Sequence, residues 1–210
     1  MSRVFDTAWC DSKNPPDVPY DTTSYDTNNQ LTYVDRMEYV YARGKQRRTQ
    51  WDTICVSVDG ACSNNGFPDA RSASAVYFGP GSVYNWADVL DPNGGHRQTN
   101  NYADVFAVIR ALRIFQKNRS EGYCGWNDVN TIVVVTNSDY VFKAMVDYIY
   151  KWDMNGYTNS RGGIVVNWEV FRKLHGLVQD VENEGIRVFF WKVPRQYNEE
   201  ADALARSKLY

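Results

Sequence analysis

Three aspartates stand where a carboxylate is costly. Asp59 closes the apolar run TICVSVDG, Asp104 shares a helical side with Ala107, Val108 and Ala111, and Asp202 sits between Ala201 and Ala203 one turn into a terminal helix. A lone carboxylate in such surroundings takes up a proton, whereas several together are tolerated around a divalent cation. Taken singly, each also reads as a surface acid or a helix-start charge, and for Asp202 alone that simpler reading is the stronger. A fourth position stands out for its type. The apolar run TIVVVT gives way to Asn137, Ser138 and Asp139, a strand end followed by a helix start, and the first of these is an amide.

The elements that would position these groups follow from periodicity. In TICVSVDG, Ile54, Val56 and Val58 face one way and Cys55, Ser57 and Asp59 the other. Two strands near SASAVYFG and SVYNWADVL flank the turn signal GPG. QTNNYADVFAVIRALRIFQ is helical, and NTIVVVT has no polar face, which suits a central strand covered on both sides. SDYVFKAMVDYIYKW carries an apolar stripe at 140, 141, 144, 145, 148, 149 and 152 and predicts one helix. NWEVFRKLHGLVQDVENEG is a second helix, stopped by Gly185. IRVFFWKV is a strand, and NEEADALARSK a last helix with Asn198 placed as its N-cap. The order β-β-β-α-β-α-α-β-α predicts an α/β domain, a mixed sheet with three leading antiparallel strands and helices packed on it.

Ahead of this domain, residues 1–50 read as a polar extension rich in turn formers, with LTYVDRMEYVYA as a possible strand of imperfect alternation. Arg43 to Arg48, RGKQRR, could touch phosphate or serve as a nuclear address, and reads most simply as a solvated basic linker. The chain of 210 residues carries 23 basic and 25 acidic side chains, a net charge of −2, which does not indicate a strongly basic nucleic-acid binder. Its hydrophobic content of 43% argues against disorder. Cys10, Cys55, Cys62 and Cys124 lack zinc spacing and read as reduced thiols. No run approaches the ~18 apolar residues of a membrane span, and the start lacks a signal-peptide core. These features predict an intracellular protein of the nucleus or cytoplasm.

VDGACSNNG, RQTNNYADVFAVIRAL, VVVTNSDYVFKAM and VPRQYNEEADALA, in that order, resemble the four motifs of type 1 ribonuclease H, from about Thr53 to Lys208. The resemblance implies a ribonuclease H-like fold with a five-stranded mixed sheet over residues 51–210. It also implies cleavage of the RNA strand of RNA–DNA hybrids by four carboxylates and two Mg2+ ions, with Mn2+ as a substitute. By position, Asp59 would bridge the metals and Asp202 would be the fourth acid. Asp104 stands where the family usually has Glu, and Asn137 where it usually has Asp. The first change keeps the charge but withdraws it by roughly 1.5 Å. The second removes a negative ligand from a hard-cation site. Asp139 is better read as a first-turn helix acid than as a substitute for the missing one. Many relatives carry a His just before the last motif. Here the loop is a short VPR type, which some members share.

On the binding side, the resemblance assigns Asn65, Asn100 and Asn101 to the 2′-hydroxyls of the RNA strand. It assigns Arg97, Thr99 and Asn167 to a DNA-phosphate pocket, and Tyr140, Tyr148 and Trp152 to an aromatic channel that also serves core packing. The family's basic protrusion is reduced to Lys151 and Arg161. The departures at 104 and 137 predict a weakened or inactive enzyme. The alternative is a non-catalytic nucleic-acid-binding or protein-interaction module on the same fold.

Overall fold

The computed structural model describes residues 2–7 and 22–210. Cys10 and the turn formers between residues 12 and 21 lie outside the described residues.

The spine of the sheet is β3 (Gly44–Ser63). As the alternation predicts, Ile54, Val56 and Val58 enter the main core, while Cys55 joins a smaller cluster on the other face with Val34, Val133, Val135 and Trp191. β6 (Thr131–Thr136), buried along its whole length, runs parallel to β3 with Ile54 beside Ile132. β7 (Arg187–Lys192) runs parallel to β6. β4 (Arg71–Tyr77) and β5 (Trp86–Val89) extend the opposite side in antiparallel pairing. The sheet is mixed, as predicted.

Helix α1 (Asn100–Ser120) crosses one face, burying Val105, Val108, Ile109, Leu112 and Phe115, with α4 (Trp168–Asn183) in the same core. On the other face, α5 (Glu199–Arg206) packs Ala205 against Ala61 and Ala75. The helix predicted over 138–152 is broken into α2 (Asp139–Lys143), a π-helical turn (Ala144–Tyr148) and α3 (Ile149–Met154). The wider turn moves the next inward position from three to four residues after Met145. Ile149 is therefore buried, and Tyr148, expected on the apolar stripe, stands half out in solvent.

Among the described residues the sheet has seven strands, the expected five (β3–β7) and two more from the segment before them. β1 (Thr23–Asp26) and β2 (Leu31–Val40) form a hairpin, and β2 pairs with residues 44–55 of β3 on the edge that β4 occupies farther along. Arg43–Arg48 is therefore not a linker. Gly44–Arg48 belongs to a strand, and its charges stay solvated because the two-stranded ribbon has open faces. Leu31 and Tyr33 reach the main core, and buried Asp35 accepts hydrogen bonds from the Ser24 (2.6 Å) and Thr49 (2.9 Å) hydroxyls. At the far edge, residues 3–5 run along β7, the Phe5 amide donating to the Phe190 carbonyl at 3.0 Å.

Candidate active site

Asp59 and Asp104 are brought together by a glycine. A Cβ on Gly60 would lie 2.4 Å from the backbone nitrogen of Asp104, so only glycine lets the first turn of α1 rest on β3. Across this contact the Gly60 amide donates to Asp104 Oδ1 at 2.9 Å. The Ser138 hydroxyl also bonds the Asp104 carboxyl, and Asn100 Nδ2 reaches its other oxygen at 3.4 Å. Burial pushes the Asp104 carboxyl up to about 6 against these donors. The shortened side chain is thus held back at the strand backbone.

Asp59 is only 4% exposed. Burial first, then the nearby charges of Asp104 and Asp202, push its carboxyl up to about 8. It lies within hydrogen-bonding reach of Asp202. Burial also raises Asp202, but Arg206 (2.8 Å, one turn on in α5) and Arg195 (2.6 Å) outweigh it and hold that carboxyl below its ordinary range. Asp59, Asn65, Asn100, Asn137 and Asp202 line one cleft of about 260 Å³, with both guanidiniums at its side.

Asn198 does not cap α5 with its side chain. Its Nδ2 donates to the Val58 carbonyl at 3.0 Å and to Asn137 Oδ1 at 2.7 Å. A backbone carbonyl can only accept, so the Asn198 amino group must face it, and Asn137 must then offer its oxygen to Asn198. The remaining polar group of Asn137 is a donor. Asp139, as expected, turns elsewhere. It lies in the first turn of α2, ion-paired with Lys192 and Lys143 and exposed, and it does not replace Asn137.

These donors fit one divalent cation better than two. Asp59 is a buried carboxyl crowded by two others, and no basic side chain reaches it among the described residues. A cation at the Asp59–Asp202 contact would relieve that repulsion. A second ion would have fewer open ligands, because Asn137 Oδ1 is engaged by Asn198 and Asp104 by Gly60 and Asn100. Among the described residues, no three His, Cys, Asp or Glu side chains are arranged as ready metal ligands.

The expected binding residues divide into two groups. Near the cleft, Thr99 caps α1, its hydroxyl accepting from the Tyr102 amide at 3.1 Å, and Asn101 is exposed beside it. Arg97 donates to the Gly66 carbonyl at 3.2 Å, tying the loop that carries Asn65 to the start of α1. Separately, Tyr140 donates to the Val166 carbonyl at 2.9 Å and accepts from Asn167 Nδ2 at 3.3 Å, with Asn167 at φ 59° before α4. Trp152 packs on Tyr148 and Phe171, half-buried. Sequence inspection missed the hold of Arg195 and Arg206 on Asp202 and the bridging role of Asn198. The four-residue spacing of Asp202 and Arg206 was the available signal.

The RNase H family model matches residues 52–210. The chain belongs to the RNase H family. Ribonuclease H1 of Mus musculus is 31% identical over 159 residues, 74% of this chain and 50% of the relative. Ribonuclease H of Neorickettsia sennetsu is 29% identical over 164 residues, 73% of this chain and 90% of the relative. The chain thus spans about half the length of the mouse protein. The RNase H fold is also that of LC9-RNase H1, described as a type 1 RNase H with the type 2 active-site motif, at TM-score 0.52 and 21% identity over 74% of this chain and 71% of that one. A foamy viral protease-reverse transcriptase solved with dsDNA gives TM-score 0.52 at 20% identity, over 74% of this chain and 93% of that chain.

Proposed function

We propose that this chain is a ribonuclease H-type endonuclease acting on the RNA strand of RNA–DNA hybrids, slowed by its own metal site. The observation that carries the proposal is the single cleft holding Asp59 and Asp202 beside the amides of Asn65 and Asn100. Mg2+, or Mn2+ in its place, would be held by Asp59 and Asp202 and would supply charge neutralisation at the reacting phosphate. Asn65, Asn100 and Asn101 offer amides that can donate to and accept from a 2′-hydroxyl, the group that separates RNA from DNA. Arg97, Thr99 and Asn167 would grip a phosphate of the DNA strand, and Tyr140 and Trp152 would lie along it. A foamy viral protease-reverse transcriptase of the same fold, TM-score 0.50, was solved in complex with an RNA/DNA hybrid, which supports this partner. No helix among the described residues is long and apolar enough to cross a membrane, and the proposed setting is the nucleus or cytoplasm.

The family's two-ion hydrolysis needs a carboxylate where Asn137 stands. Hybrid cleavage with Mg2+ and with Mn2+, compared for the parent and Asn137→Asp, tests the proposal. The substitution is expected to raise the rate on the order of 100-fold, the scale of a restored site geometry. A second interpretation has its own observation in its favour, since the Asn137–Asn198 amide pair and the two arginines on Asp202 hold these side chains without a metal. If Asn137→Asp binds hybrid without cutting it, the chain is a non-catalytic binding module. If neither protein binds hybrid, the assignments of Asn65, Asn100 and Arg97 fall too.

A further inference from the structure

The ribbon of β2 and the first half of β3 forms an arm that is largely exposed from Arg36 to Arg48, and its composition departs from that of the rest of the molecule. Between Arg36 and Arg48 five cations stand against one acid, Glu38, in a chain whose net charge is −2. The register sets Tyr39 opposite Lys45 and Met37 opposite Arg47, so these four share one face of the ribbon. Arg36 and Arg48 oppose each other on the reverse face. Tyr39 is 79% exposed and Tyr41, in the connecting turn, 93% exposed. Two tyrosines this open on a hairpin stabilise no core.

We propose that this arm is a binding site for single-stranded nucleic acid, with Tyr39 and Tyr41 as stacking platforms for bases and Arg43 and Lys45 on the backbone phosphates, Arg47 being paired with Asp35. The chemistry favours a polyanion with flat, apolar rings. Aromatic faces stack with any unpaired base, while interleaved cations follow the phosphates. A duplex keeps its base faces covered and would leave the tyrosines unused. The site is separate from the cleft. Lys45 and Asp59 lie fourteen residues apart on β3, with a bulge between Gln50 and Ile54 separating them. The proposal therefore does not rest on the hybrid assignment, and loss of either leaves the other standing.

The test is fluorescence anisotropy of the full chain with a labelled oligothymidylate of about 16 nucleotides, the upper range for one compact binding surface. The parent is expected to bind, and Tyr39→Ala/Tyr41→Ala to weaken binding by at least about 10-fold. Tyr39→Phe/Tyr41→Phe should restore it, since the ring rather than the hydroxyl stacks. Arg43→Ala/Lys45→Ala should lower the slope of log affinity against log salt by about 1.4, roughly 0.7 for each phosphate no longer neutralised. Circular dichroism and hybrid cleavage should be unchanged in all three variants. The proposal is overturned if the parent does not bind the oligonucleotide, or if the arm variants bind it as the parent does. It is equally overturned if an acidic peptide or anionic vesicles compete for the same residues more tightly.

Discussion

Replacing Asp59 with asparagine removes a carboxyl that burial and its acidic neighbours have pushed up to about 8, while leaving its shape. Between the ordinary aspartate value and about 8, the folded chain keeps a proton that the unfolded chain has released. Stability conferred by that proton is present at low pH and is lost as pH rises. Asp104, raised to about 6, contributes in the same direction but is spent by pH 7. His175, lowered by burial, acts oppositely and below that range. The interval from pH 7 to pH 8 therefore isolates Asp59, and over it the parent should lose about 1 kcal/mol. Urea unfolding in the presence of EDTA should show the parent declining by that amount while Asp59→Asn stays level. Saturating Mg2+ should flatten the parent's decline, because a cation favours the ionised carboxyl. Parallel pH profiles for the two proteins in EDTA would refute the crowded, proton-holding carboxyl on which the metal-site argument depends.

Gly60→Ala should destabilise the chain by about 3 kcal/mol in urea unfolding, since its methyl meets the backbone of α1 and neither element can yield without moving Asp104. Asn198→Leu leaves the Val58 carbonyl without its donor, and a loss of about 1–3 kcal/mol is expected by the same measurement. Arg195→Ala frees one oxygen of Asp202 and should tighten Mg2+ binding by about fivefold in calorimetry, the scale of one exposed ion pair. Asp139→Ala should leave hybrid cleavage where it was, because that carboxylate faces Lys192 and Lys143 instead of the cleft.

The strands and helices that build the cleft were legible because burial imposes period on them. Ile54, Val56 and Val58 alternate into one core, and the wholly apolar β6 is indeed covered on both faces. Asn137 could be placed at the end of β6 for the same reason. Its partner could not, since a bond between Asn137 and Asn198 spans 61 positions and leaves no local trace. Asn198 looked like a cap because asparagine before two glutamates usually is one. The hairpin was obscured by charge. A ribbon with both faces in water needs no apolar alternation, so Gly44–Arg48 carried only the signature of a solvated segment. The π-helical turn left no periodic mark either, as Tyr148 is aromatic whether it faces the core or solvent.

The segment that matches the family and the segment that shares its core are different lengths in this protein. Kinship with other RNase H chains starts at residue 52, in the middle of β3. Leu31 and Tyr33 come from before that point, yet they are fully part of the interior beside Ile54 and Phe78. The Thr32 hydroxyl holds the Phe78 carbonyl at 2.7 Å, and Tyr25 fills the space beside Gly79 that a side chain would need. A recombinant fragment trimmed to residues 52–210 would keep the whole cleft and still open one flank of the interior to water. The matched segment and the hairpin before it share one interior, and a cut between them would fall inside β3 itself.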